Sequence, residues 1–197
     1  MRGRDRVETA TKPERREAIC GAVFELLGEV GYDRMSMDAV AARARASKAT
    51  IYRAWENKPE LVMEALTQRF GGSAEAPDTG SLRGDLASQL TAVCTVANGD
   101  DGAIVMGLLT AASRDAELAR TLHQVLYDMK HSVYETILAR AVERGEVPAS
   151  ADAGLLHELI HAMMLTRRLW GTCALLDEAY VNRVIDKILL PVLRQDA

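Results

Sequence analysis

The chain has 197 residues, room for one large domain or two small ones, and 48% of them are hydrophobic while 5% are aromatic, so a core of Leu, Val, Ile, Met and Ala is expected. The net charge of −4 argues against a uniformly basic binder of nucleic acid, and Cys20, Cys94 and Cys173, far apart and without CxxC spacing, exclude a disulfide framework. No apolar run approaches the roughly 18 residues of a membrane span, and the charged N-terminus lacks the apolar stretch of a signal peptide, so a soluble cytoplasmic protein is expected.

Charge is unevenly spread. Up to Lys58, 12 basic side chains face 9 acidic ones; beyond it, 12 basic face 19 acidic. A basic head on an acidic body suits a chain that grips phosphates at one end. Residues 1–11 lack periodicity and read as a solvated tail; entry of Arg2, Arg4 and Arg6 into a minor groove is the alternative. Pro13 then opens a first helix, where its missing N–H costs nothing. Ile19, Ala22, Val23, Leu26, Leu27 and Val30 form its apolar stripe. Gly31 ends it as a left-handed C′ residue, with Tyr32 folding back as a lid.

The stretch from Ser36 to Lys58 reads as two short helices joined by a tight turn, a helix-turn-helix pattern. Ser36 and Ser47 are N-caps, Asp38 lies in the first turn, and Val40 with Ala41 faces inward. Ile51 and Trp55, four apart, share a buried face, leaving Lys48, Thr50, Tyr52 and Arg53 able to reach DNA. Asn57 caps a fourth helix through Leu61, Val62, Leu66 and Phe70, with Glu60 making a variant capping box. Gly71-Gly72 stops it, and the Gly- and Pro-rich stretch that follows is a linker. The expected division is residues 1–58 as a DNA-binding domain, 59–70 as a connecting helix and 71–197 as a helical body.

Further helices are predicted over 82–97, 103–112, 115–144, 152–173 and 177–193. The second is apolar enough to be buried on most sides. The long third carries Leu118, Leu122, Val125, Met129, Val133 and Ile137 as its stripe. There is no convincing strand, and the fold class is all-α.

Taken together, Ile19 and Ala22 through Gly31-Tyr32, then Ser36, Ala41, the run Ser47-Lys48-Ala49-Thr50-Ile51-Tyr52, and Asn57-Lys58 leading to Leu61, resemble the head of the tetracycline-repressor (TetR) family over about fifty residues. Physics accounts for the pattern: Ala41 is small because the recognition helix crosses close to it, and Ile51 is the matching plug. Arg45 departs from it, standing where the turn usually wants Gly, at a cost of about 1 kcal/mol unless a phosphate contact offsets it. The resemblance implies that Ser36, Ser47, Thr50, Tyr52 and Lys58 hold phosphates and that Lys48, Ala49 and Arg53 face base edges. It also implies a homodimer paired through the last two long helices, a palindromic double-stranded operator, and release by a small, largely apolar effector with no cofactor. Candidate pocket residues are Leu90, Cys94, Met106, Leu109, Leu126, Tyr127, Met163 and Trp170, each of which could equally be core.

One motif points elsewhere. His157-Glu158-Leu159-Ile160-His161 is a literal HExxH, the spacing of a zinc metallopeptidase. Met164 and Arg167 stand where a third ligand would follow, Asp177 or Glu178 is a distant substitute, and Arg167 and Arg168 would repel a cation.

Overall fold

The computed structural model of the chain describes residues 12–71, 75–169 and 176–195, without the side chains of Lys12 and 125–130. The expected N-terminal arm, Cys173 and Trp170 therefore lie outside the described residues, as do the side chains of Val125, Leu126, Tyr127 and Met129. The described residues form helices and no strand: α1 (Lys12–Arg34), α2 (Met37–Arg43), α3 (Lys48–Ala54), α4 (Lys58–Phe70), α5 (Leu82–Asn98), α6 (Asp100–Ala112), α7 (Ala116–Glu143), α8 (Ala153–Leu169), α9 (Glu178–Val184) and α10 (Leu190–Leu193). A π turn, Ile185–Leu189, joins the last two. Its cause is local: Pro191, without an N–H and with a ring crowding the carbonyl four residues back, disturbs the regular ladder.

Side-chain caps start these helices where the sequence changes period. Ser36, Ser47, Asn57, Ser81 and Asp177 each accept from the backbone N–H three residues on. Asp115 and Asp152 do the same for α7 and α8. Each such cap contributes about 1 kcal/mol. Gly31 does interrupt α1, but in a different conformation from the one expected: φ is 76° and ψ 169°, an extended region open essentially to glycine, not the left-handed helical one. The chain extends there and then makes one more turn, Met35 N–H donating to the Gly31 carbonyl at 3.1 Å.

The chain forms two compact units, one of residues up to 72 with 104–125, the other of 73–103 with 126 onward, so α6 and α7 each run through both. In the first, Ile19, Val23, Leu26, Val40, Ile51, Trp55, Leu61 and Leu66 are buried. Each fully buried aliphatic side chain contributes about 1.5–3 kcal/mol. In the second, Leu86, Leu90, Tyr134, Ile137, Leu156, Ile160, Ile185 and Leu189 make the core. Asp85 is fully buried there and fully engaged: it accepts from the N–H and hydroxyl of Thr79 at 2.6 and 2.7 Å and from Arg144 Nη2 at 3.1 Å. Arg144 also donates to Glu146, whose carboxylate accepts from Leu82 N–H at the start of α5.

The burial expected of α6 does not hold. Within 103–112 only Leu108 is buried, and Met106 and Leu109 are half-exposed. A helix rich in Ala, Gly and aliphatics carries no polar face to orient it, so composition overstated how many sides are covered. No single helix among the described residues is long and apolar enough to cross a membrane.

Candidate nucleic-acid interface

The turn between α2 and α3 sets the site. Ala46 N–H donates to the Ala41 carbonyl at 2.9 Å and Arg45 N–H to Ala42 at 3.3 Å, the paired bonds of a Schellman closure. This closure needs a positive φ at C′, and Arg45 has φ 51°, the one positive-φ non-glycine among the described residues. Ala41 is 2% exposed, and its carbonyl receives the turn. Ile51 (0%) and Trp55 (2%) bury the inner face of α3.

The outer face is what the sequence reading expects on DNA. Lys48, Ala49, Tyr52 and Arg53 are exposed, with Thr50 half-buried beside them. Tyr52, which could have been core, is 55% exposed. Ser47 Oγ caps α3 through Thr50 N–H at 3.1 Å and lies 2.8 Å from the Thr50 hydroxyl. Ser36, the N-cap of α2, and Arg45, in the turn itself, are both exposed. Lys48 is paired with Asp38 of α2, which raises its pKa above the ordinary lysine value, chiefly through their hydrogen bond.

Behind α3 stands a polar brace that the sequence reading missed. Arg16 donates twice to Glu64, at 2.7 and 2.6 Å, and the Trp55 indole N–H donates to the same carboxylate at 2.8 Å. One acid thus ties α1 and α4 to the end of the recognition helix. Arg16 holds the Glu64 carboxyl below the usual glutamate range, with Trp55 adding to the effect. Arg43 likewise ties α2 to Glu25 and Glu29 of α1. The i, i+4 spacing of Glu25 and Glu29 was the signal available for the last.

Lys58, expected on a phosphate, is turned inward. Its ammonium donates to the carbonyls of Tyr32 at 3.0 Å and Met35 at 3.3 Å, and burial lowers its pKa. Tyr32, in the last turn of α1, and Met35, just past it, turn their carbonyls toward the start of α4, which brings the lysine to them. Tyr32 is indeed a buried lid, its hydroxyl donating to Asp115 at 3.2 Å. Asn57, beside Lys58, donates to Glu117 at 2.6 Å. The Glu60 carboxylate reaches Glu56 N–H, one residue before the cap, which is the variation on the capping box.

The expected pocket residues are not gathered into one described cavity. Leu90 and Cys94 are packed in the core of the second unit, and burial pushes the Cys94 thiol up to about 11. Met106 and Leu109 belong to the part of α6 in the first unit. Met163 lines a groove of about 660 Å³ whose floor is largely apolar (Ala162, Tyr180, Val184, Ile188), with Arg167, Arg183 and Lys187 also in its lining.

The two histidines of the HExxH segment pack on each other, and one of them on a tyrosine ring. His157 is 5% exposed, its ring stacked on that of His161 at 4.1 Å and set edge-on to Tyr134 at 5.5 Å. His161 Nδ1 lies 2.9 Å from the carbonyl of His157. One helical turn simply stacks the two imidazoles, and one of them packs as core. Among the described residues no set of three His, Cys, Asp or Glu could hold a metal ion. The metallopeptidase reading gains no support from this arrangement.

Comparison with known proteins agrees on both halves of the chain. The profile for bacterial regulatory proteins of the tetR family matches residues 19–65, and that for the tetracyclin repressor-like C-terminal domain matches 76–188. A DNA-binding transcriptional repressor TetR of Mycobacteroides abscessus is 36% identical over 93% of this chain and 96% of its own length. An uncharacterized HTH-type transcriptional regulator of Mycobacterium tuberculosis is 34% identical over 91% of this chain and 88% of its own. Among solved structures, a TetR family transcription regulator superposes with TM-score 0.71 at 28% identity, covering 90% of this chain and 97% of the other. The regulator FadR of Bacillus subtilis, solved in complex with stearoyl-CoA, shares the fold with TM-score 0.69 at 19% identity, covering 91% and 97%.

Proposed function

This chain belongs to the TetR family of bacterial transcriptional regulators, DNA-binding proteins and not enzymes, and we propose that it is a repressor that binds a palindromic operator as a homodimer and is released by a small, largely apolar effector. The observation that carries this reading is the braced recognition helix. Four side chains of α3, Lys48, Ala49, Tyr52 and Arg53, face outward together, while Ile51, Trp55 and the Arg16–Glu64 pair hold the helix from behind. Lys48 and Arg53 are the readers of guanine edges; Ser36, Arg45, Ser47, Thr50 and Tyr52 surround them as phosphate contacts.

Dimerisation is supported by the apolar surface of α8 and the last helical segment. Leu155, Leu169 and Ile188 are 45%, 59% and 37% exposed, and the 660 Å³ groove floored by Met163, Val184 and Ile188 lies along the same stretch. Apolar side chains left in water at helical spacing favour a partner helix. Two copies related by a two-fold axis then place their α3 helices in major grooves one helical turn, about 34 Å, or a multiple of it apart. A repressor is favoured by the repressor from Mycobacteroides abscessus, and a small-molecule effector by the tetracyclin repressor-like C-terminal profile over residues 76–188. An effector acts by binding more tightly to a conformer whose head spacing no longer fits the operator, with α4 as the connecting lever. Binding to chromosomal DNA places the protein in the cytoplasm.

The test is selection from a random duplex pool with the purified protein. Enrichment of a two-fold symmetric sequence is expected. A pool that stays random over successive rounds would refute the reading.

A further inference from the structure

Asp38 belongs to α2, yet its carboxylate serves α3. Oδ2 accepts from Lys48 Nζ at 2.5 Å and Oδ1 accepts from the Tyr52 hydroxyl at 3.4 Å. These are two of the side chains that the recognition helix turns outward, with 68% of the Lys48 side chain and 55% of Tyr52 exposed. Folding explains a carboxylate in the first turn of α2, where the helix dipole favours it, but not its reach to two side chains of α3. Ser36 already caps α2, and an ion pair this exposed adds only a small increment to stability. A carboxylate on a surface that meets a polyanion also weakens general DNA affinity, which depends on the cations brought to phosphates.

We infer that Asp38 is a specificity-determining positioning residue of the DNA-binding head, holding Lys48 and Tyr52 in the reading geometry and keeping the Lys48 charge from the phosphates of unrelated DNA. The inference rests on the DNA-binding reading above. An ammonium has three N–H donors and no acceptor. One points at Asp38, which leaves two for the O6 and N7 acceptors that guanine presents in the major groove. On the right base the lysine serves both partners without reorienting. On unrelated sequence it stays on Asp38, so the charge neutralised at phosphates is smaller by one.

The experiment measures binding of the full-length wild type, Asp38→Asn, Asp38→Glu and Lys48→Met to two labelled duplexes, the palindrome enriched by selection and a scrambled version of equal length. Salt runs from about 50 to about 200 mM, the range over which phosphate contacts report themselves. Asp38→Asn should bind the scrambled duplex more tightly, with a log–log salt slope steeper by about 1, and its preference for the palindrome should fall about fivefold or more. Asp38→Glu should recover most of the preference. Lys48→Met, which keeps Asp38 and does not depend on the fold of the other variants, should lose preference while its slope on scrambled DNA stays at the wild-type value.

An unchanged preference and slope in Asp38→Asn would overturn the inference, as would an equal loss on both duplexes, the mark of a merely destabilised head. So would a slope reduced by about 1 in Lys48→Met on scrambled DNA, since that makes Lys48 an ordinary phosphate contact. If the wild type discriminates and Asp38→Asn discriminates as well, this inference alone falls. If the wild type prefers no duplex, the proposed function falls and takes it along.

Discussion

Lys58 lies over the ring of Tyr32, its ammonium 3.9 Å from the ring centroid, while donating to the Tyr32 carbonyl at 3.0 Å. A lysine so placed closes the end of α1 and is not presented to a phosphate. Lys58→Met should therefore lower head stability by about 1–2 kcal/mol, the worth of charge-assisted hydrogen bonds to carbonyls, read as a lower urea midpoint. The salt slope of DNA binding should not change. A slope lower by about 1 would return Lys58 to the phosphate contacts.

Arg45 holds a positive φ of 51° that glycine adopts without strain. Arg45→Gly should raise stability by about 0.5–1 kcal/mol, the relieved strain less the added freedom of the unfolded chain. Thermal unfolding checks it. If Arg45 also touches a phosphate, the same variant binds DNA with a shallower salt slope, and the two readouts separate strain from contact.

Glu64 carries the brace behind the recognition helix, and its folded carboxyl sits below the ordinary value of 4.5. A carboxyl whose pKa is lowered on folding contributes stability that is fully present above the unfolded value and is lost as pH falls through the folded one. Wild type should exceed Glu64→Gln in stability most clearly above about pH 5, with the gap closing as acid protonates the carboxylate. A gap independent of pH would mean that the glutamate acts by packing and not by charge.

Asp85 is buried at 0% exposure with Arg144 as its charged partner. Arg144→Met leaves that carboxylate with Thr79 alone and should cost about 3–5 kcal/mol, the range for breaking a buried pair from one side. Asp85→Asn, which can still accept from Thr79, should cost less. Denaturant unfolding of the two variants gives the order directly.

Much of this was legible in the residues because it is local. Ser36, Ser47 and Asn57 announce helix starts by side-chain chemistry, and the four-residue spacing of Ile51 and Trp55 announces a buried face, so α2, α3 and α4 could be placed in advance. The strained turn at Arg45 was legible only through the family resemblance, whose pattern wants a glycine at that position for a positive φ. What escaped was long-range. Nothing near Glu64 in sequence says that Arg16 and Trp55 meet on it, nor near Asp85 that Arg144 does, because such pairs depend on how helices are brought together. Lys58 and Gly31 were misjudged for a related reason: residue type limited their options, and the packing of Tyr32 and Met35 chose among them. The two histidines of the HExxH spacing show the converse, a chemical pattern that one turn of helix produces by stacking two imidazoles.

The measurement closest to the central claim repeats the duplex selection with Arg53→Ala beside the wild type. If α3 reads bases, the wild type enriches a two-fold symmetric site, and the variant enriches the same site with preference relaxed at one symmetry-related pair of positions, each worth about 1–3 kcal/mol of discrimination. An identical site, unrelaxed at every position, would contradict base reading by Arg53, and the absence of any enriched site with either protein would contradict the account as a whole.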